Sequence, residues 1–254
     1  AADRPTPPVP LAPSAGLDGV LFYTDEDCRL RAVRIPSLRD AHAPDWSACS
    51  FSLSPSGQAV QASWTVWSPG GAYASDVGNA VEVDPGGRVF RGSSPAWRPD
   101  GTLTYVRGGA VRAWPSERVL LSADDLRRAW TRHPSAPRGF VESVRVKQIA
   151  WLSSTRVVLI LGIRVRFAGE FDLTAVFERR RLVNIVIQSF GRLWTSPHGG
   201  FFALGRSDAV QLYDRNGEAL PLPELVEPRA VAWSPDETWL AVATRASIYV
   251  FRPG

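Results

Sequence analysis

A short apolar strand, a turn built on serine and proline, and a second apolar strand recur along this chain, and nothing else limits its fold so tightly. The stretch "AVAWSPDETWLAVATRASIYVFRP" at 230–253 is the template, and related stretches occupy 51–63, 95–114, 149–162 and 193–217. The turn positions Pro55, Pro99, Ser153, Pro197 and Pro235 are 44, 54, 44 and 38 residues apart. The long interval has a visible cause. "LSADDLRRAWTRHP" (121–134) reads as an inserted helix near 122–133, with Ser122 as N-cap, Asp125 three residues on in a capping-box pattern, and Pro134 as the stop. Without this insertion the unit length is about 42 residues. Proline presets the turn dihedral, and the Val-, Leu-, Tyr- and Trp-rich runs after each turn have the composition of buried strands. "YDRNGEAL" and "VDPGGRV" add hairpin turns. Three or four short strands cannot bury a core alone, whereas radial repetition gives each sheet two neighbours and leaves only short, protected edges.

The segments "AWSPDETWLAVAT", "AWRPDGTLTYV" and "TSPHGGFFALG" resemble the WD40-like PD40 repeat of TolB-type β-propellers, over about residues 19–253. The resemblance implies an all-β propeller of six blades, with five or seven as alternatives, and a ring sealed by pairing N-terminal with C-terminal strands. The segment "GVLFYTD" or the strand after it would then meet the last blade. Three departures stand out: Leu152-Ser153-Ser154 has no proline, Glu237 replaces the usual glycine, and an additional "WSPGG" at 67–71 reads as a hairpin turn inside a blade. The domain limits are a proline-rich linker at 1–16 and a propeller at 17–254.

The linker "AADRPTPPVPLAPSAG" has five prolines, and as polyproline II it would reach roughly 50 Å, enough for a stalk. The chain has no methionine, so a leading piece is expected to have been removed, either a signal peptide or a membrane anchor. Its longest apolar run, Val157–Ile163, is far short of the roughly 20 residues a membrane helix needs. Cys28 and Cys49 are expected to form a disulfide, closing a loop of about 22 residues and implying an oxidising compartment; two buried thiols are the alternative. The net charge is +4, and Lys147 is the one lysine among 29 basic residues.

No nucleophile elbow, dinucleotide or phosphate loop, or H-E-x-x-H pattern is present. His42, His133 and His198 are scattered: His198 sits in a turn, and His133 is placed to meet the last carbonyls of the inserted helix. Asp25, Glu26 and Asp27 suit a solvated turn better than a calcium loop, lacking its spacing and glycine. No metal or cofactor is expected. Arg179, Arg180 and Arg181 are read as a charged strand connection; nucleic acid is the sharp alternative, which an oxidising setting argues against, and an acidic protein or anionic lipid is the other. Trp97, Trp151 and Trp233 occupy equivalent repeat positions and are expected to pack blades, while Trp64, Trp67 and Trp114 are candidates for exposure.

A more specific pattern is arginine after the second strand of several repeats: Arg107, Arg206 and Arg245, with Arg164 and Arg166 in a similar place. Equivalent propeller loops share one face, so these five would focus positive potential on an acidic partner segment or anionic ligand; the alternative is arginine abundance with local pairing, for example Arg206 with Asp208. The expected function is a non-enzymatic, extracytoplasmic protein-interaction scaffold, part of a cell-envelope or membrane-associated assembly and tethered near the membrane through the missing N-terminal segment. The alternatives are a propeller enzyme of hydrolase, lactonase or lyase type, and a cell-surface carbohydrate-binding module using exposed tryptophans.

Overall fold

The computed structural model of the chain describes residues 20–24, 27–34, 37, 39–43, 45, 52–53, 59–60, 65–68, 70–133, 141–167, 169–188, 191–205, 209–223, 225, 228–234, 236–244 and 247–253. The first sheet contains β1 (Val20–Thr24), β2 (Leu30–Arg34) and β3 (Arg39–Asp40). A short ladder follows, β4 (Ser52–Leu53) with β5 (Ala59–Val60). The next sheet is β6 (Thr65–Trp67), β7 (Tyr73–Asp76), β8 (Ala80–Asp84) and β9 (Arg88–Arg91). After it come β10 (Ser93–Trp97), β11 (Leu103–Arg107), β12 (Ala110–Ala113) and β13 (Arg118–Leu121). Helix α1 (Ala123–Arg132) leads into the longest sheet, β14 (Val141–Trp151), β15 (Arg156–Val165), β16 (Gly169–Glu178) and β17 (Arg181–Gln188). The last two sheets are β18 (Arg192–Thr195), β19 (Phe201–Gly205), β20 (Val210–Asp214), β21 (Ala219–Leu220), and β22 (Pro228–Trp233), β23 (Leu240–Thr244), β24 (Ile248–Phe251). Within every sheet the strands pair in chain order and antiparallel.

From β6–β9 onward the sheets stack face to face in chain order. Ala74, Val81 and Val83 meet Leu103 and Tyr105 of the following sheet. Val106, Val111 and Leu121 meet Val144, Val146 and Leu159. Val158 and Val176 meet Phe202 and Tyr213, and Ala203 and Leu212 meet Val231, Trp233 and Leu240. Ala230, Ala241 and Ala243 then return to Leu21 and Val33 of the first sheet. The chain is therefore an all-β propeller. Six sheets of three or four strands account for the six-blade expectation, and β4–β5, beside β6, adds a two-stranded ladder. Closure differs from the expected strand pairing. Among the described residues β1 hydrogen-bonds only to β2 and meets the last sheet through side-chain packing.

The recurring turns join the first and second strands of the five sheets from β6–β9 onward, and a side-chain oxygen closes them. Ser68 Oγ accepts from Ala72 N at 2.9 Å, Ser196 Oγ from Phe201 N at 2.9 Å and Ser234 Oγ from Trp239 N at 2.9 Å. In the turn without proline, Ser153 Oγ does the same for Arg156 N at 2.9 Å. Where arginine replaces serine, Asp100 Oδ1 accepts from Thr102 N at 3.0 Å. An accepting side-chain oxygen is thus the constant part of the device, and neither the serine nor the proline is present in every copy. The 67–71 stretch is a hairpin turn inside a blade, as its sequence reads. The turn between β6 and β7 is the motif turn of its own four-stranded sheet, and the 51–63 copy belongs to the β4–β5 ladder.

Helix α1 begins as its sequence requires. Ser122 caps Asp125 N while the Asp125 carboxylate accepts from Ser122 N at 3.0 Å. That backbone hydrogen bond, aided by Arg128, holds the Asp125 carboxyl below its usual range. At the other end the cap is made by the His133 backbone N–H, which donates to Trp130 O at 3.0 Å. Leu126 and Trp130, four apart on one helix face, are buried against β14.

The linker at 1–16, Asp25, Glu26, Cys49, Trp64, Arg206 and Arg245 lie outside the described residues. Cys28 is not a free thiol.

Candidate functional site

The two ends of the ring differ in build. At the end holding the motif turns, the last four turns are linked in series. Arg98 donates to Ser154 O at 2.6 Å. Gly199 comes so close to Leu152 that a Cβ there would lie 2.0 Å from the Leu152 carbonyl oxygen. Glu237 accepts from His198 N at 2.6 Å and Gly200 N at 3.4 Å. The unusual Glu237 adopts φ 58°, and its carboxylate ties its own turn to the preceding one. The tryptophans join the same seam. Trp97 Nε1 donates to Val66 O at 3.1 Å, Trp151 Nε1 to Thr104 Oγ1 at 2.8 Å, and Trp233 is buried between the last two four- and three-stranded sheets. Trp114 stacks on Phe90 with centroids 6.0 Å apart and is half-buried, not presented to solvent.

Beside this end lies the 178–181 connection. Arg179 N donates to Thr155 O at 2.7 Å, and Glu178 accepts from Arg156 Nε at 2.6 Å and from the Thr155 hydroxyl. Those bonds from Thr155 and Arg156 hold the Glu178 carboxyl below its ordinary range. A cavity of about 590 Å³ is lined here by Glu178, Arg179, Arg180 and Arg181.

The opposite end carries the connections between second and third strands, where the arginine pattern was placed. Arg206 and Arg245 lie outside the described residues, and the three that are described, Arg107, Arg164 and Arg166, have different surroundings. Arg107, the last residue of β11, pairs with Glu117 of its own sheet at 3.0 Å. Its charge is locally answered, and that contact could not be read from the sequence spacing. Arg164 and Arg166 do come together, on a feature that repeat offsets do not reveal.

β11, β19 and β23 each have five residues, whereas β15 and β16 have ten. Val146 N donates to Gly109 O at 3.3 Å, and Val146 pairs with Leu161. The neighbouring sheet's turn therefore ends level with Leu161. Gly162 to Val165 continue past it by about 13 Å, with Arg166 and Phe167 beyond them. This arm has two unlike faces, as strand alternation demands. One carries Val144, Val146, Leu161, Ile163, Phe171 and Leu173, covered by Leu126 and Trp130 of α1. The other carries Arg145, Lys147, Arg164, Glu170 and Asp172. Lys147 Nζ is 2.5 Å from Asp172 Oδ1, Arg145 pairs with Glu170, and Arg164 lies 3.8 Å from the same carboxylate.

Gly162 sits under these bridges. A Cβ on it would come 2.8 Å from Lys147 Cε and 3.2 Å from both Arg145 Nε and Glu170 Oε1. Its bare backbone lets cations on β14 reach carboxylates on β16 across the strand between them. At the tip Phe167 is 97% exposed, with the Arg166 guanidinium 5.2 Å from its ring centroid. The sequence reading did not single out Arg145, Gly162, Phe167, Glu170 or Asp172. The available signal was the length of "RVVLILGIRVRF", twice that of the equivalent strands.

Among the described residues no three His, Cys, Asp or Glu side chains converge as metal ligands, and no helix is long and apolar enough to cross a membrane. No family model matches the sequence, and no curated protein matches it. Among solved structures, the chain is similar to the β-propeller domain of Myceliophteria thermophila Cps50 (Swd1), with TM-score 0.53, 11% identity and 96% of each chain covered. At that identity the likeness carries the fold alone, a β-propeller.

Proposed function

We propose that this chain is a non-enzymatic propeller of the PD40, TolB-type class, acting outside the cytoplasm as a protein-interaction scaffold in a cell-envelope assembly. The observation that carries the reading is the contrast between the ring's ends. One is laced turn to turn, by Arg98 to Ser154, Gly199 to Leu152 and Glu237 to His198. The other projects charged strand ends and an arm braced by α1. A ring stiffened at one end and shaped at the other suits a body that holds partners. The serine turns support the PD40 assignment. The proline-rich 1–16 segment supports a stalk near a membrane. Pairing of Cys28 with Cys49 would fit an oxidising compartment.

Two measurements test the reading. Tagged protein is cross-linked in native membranes, captured, and compared with a variant carrying Arg107→Gln, Arg206→Gln and Arg245→Gln. The expected result is one defined partner, recovered several-fold less by the variant and less at high salt. Undiminished recovery would remove the arginines from the binding surface, and no partner would remove the scaffold. Peptide mapping without reductant is expected to recover Cys28 and Cys49 in one linked species; separate alkylated peptides from native material would argue against the oxidising compartment.

A further inference from the structure

We propose that the tip of the β15–β16 arm is a membrane-contact element, with Phe167 entering the headgroup region of an anionic bilayer while Arg164 and Arg166 meet lipid phosphates. This does not rest on the scaffold reading, because it concerns a lipid surface and not a protein partner.

Three observations lead to it. The first is exposure. Phe167 is 97% exposed, and the next most exposed large apolar residue among those described is Val89 at 61%. The second is conformation. Phe167 has φ 68°, in the left-handed region that glycine or asparagine ordinarily fills. Of the seven described non-glycine residues at positive φ it is the one aromatic, and it stands at the apex. The third is support. α1 buries Leu126 and Trp130 against the arm's apolar face, and the Arg145–Glu170 and Lys147–Asp172 pairs tie the other face across Gly162. The apex is therefore presented on a braced hairpin.

The chemistry of the apex selects a lipid surface over a protein pocket. The tip is convex and offers one ring, and a single phenylalanine supplies a small fraction of the roughly 1,200–2,000 Å² that a stable protein interface buries. A bilayer interface accepts a lone aromatic at headgroup depth when cations flank it. Arg166 has no carboxylate within ion-pair distance among the described residues and lies over the ring, while Arg164 only shares Glu170 with Arg145 and Lys147. Glu142, exposed near the start of β14, is the remaining charge on the arm and works against an anionic surface. Binding is consequently expected to be modest and dependent on salt.

The full chain is sedimented with vesicles of phosphatidylcholine alone and of phosphatidylcholine with phosphatidylglycerol, at about 0.1 M salt, where the Debye length is about 10 Å. Binding is expected only to the anionic vesicles. Phe167→Ser should weaken it roughly ten-fold, and Arg164→Gln or Arg166→Gln about five-fold each. Arg118→Gln, distant on an outer strand, should leave it unchanged, and thermal melts of all variants should coincide because the tip side chains are exposed. Absence of binding to anionic vesicles overturns the proposal. So does binding that Phe167→Ser leaves intact, which would mean diffuse attraction to a basic protein. Loss of a captured protein partner in Phe167→Ser, with no vesicle binding by the wild type, would also overturn it and assign the tip to a protein pocket.

Discussion

Replacing Trp130 by alanine is expected to destabilise the protein by about 4 kcal/mol, the range found for truncating a large buried aromatic side chain. Trp130 is 3% exposed and lies in one cluster with Leu126, Val141, Val144 and Ile163. These residues are the contact between α1 and the projecting part of the long sheet. Loss of the indole opens a cavity there, and the ten-residue helix is too short to persist without its tertiary contacts. For a chain of this size the melting temperature should fall by roughly 8–16 °C. The effect should also be local before it is global. Amide exchange should quicken in β14 and β15 beyond Val146 and Leu161, while β22–β24 keep their protection. Trp130→Phe should cost clearly less. A fall of under about 1 kcal/mol with unchanged exchange in the arm would mean that α1 does not brace it.

Most of the fold was legible because each repeat carries its own local code. Ser-Pro turns, Asn216-Gly217 and the Ser122–Asp125 capping box are short-range signals, and the structure places a turn, a hairpin and a helix start at them. What was not legible depended on lengths and on neighbours. The 67–71 turn reads as a hairpin inside a blade, but its spacing does not reveal that it opens a complete four-stranded sheet while the 51–63 copy has only a two-stranded ladder. Periodicity reports that strands alternate, not how many residues pass before the chain reverses. The tip of the long hairpin reverses at Arg166-Phe167, which carries none of the usual turn residues before Gly169.

The arginine pattern shows the same division. Offsets from the motif turn correctly put Arg107, Arg164 and Arg166 at ends of second strands. Those strands differ by five residues in length, so equivalent offsets do not place the charges in one plane. Arg107 turns to Glu117 in the next-but-one strand connection of its sheet. Arg164 is drawn to Glu170 across the hairpin. Side-chain pairing of this kind follows from register, which only the folded sheet sets.

Gly199→Ala is expected to cost about 3 kcal/mol, from overpacking added to the cost of a left-handed alanine. Gly199 has φ +71°, and its added Cβ would lie 2.0 Å from the carbonyl oxygen of Leu152 and 2.6 Å from its Cα. The obstacle is backbone, in a turn already fixed by Leu152 N to Arg156 O at 2.9 Å, so no rotamer change relieves it. The 196–201 turn cannot retreat the other way, because Glu237 of the following sheet holds His198 N and Gly200 N. The clash must therefore be met by parting two sheets of the ring. Gly101 supplies the control: it occupies a comparable turn at φ +81° with nothing within 4 Å of its added Cβ. Gly101→Ala should cost only the conformational part, about 1 kcal/mol. Melting temperatures are expected to drop by roughly 6–12 °C for Gly199→Ala and about 2–4 °C for Gly101→Ala. Equal drops would show that the close approach of neighbouring turns contributes nothing, and that the laced end of the ring is held by its strands alone.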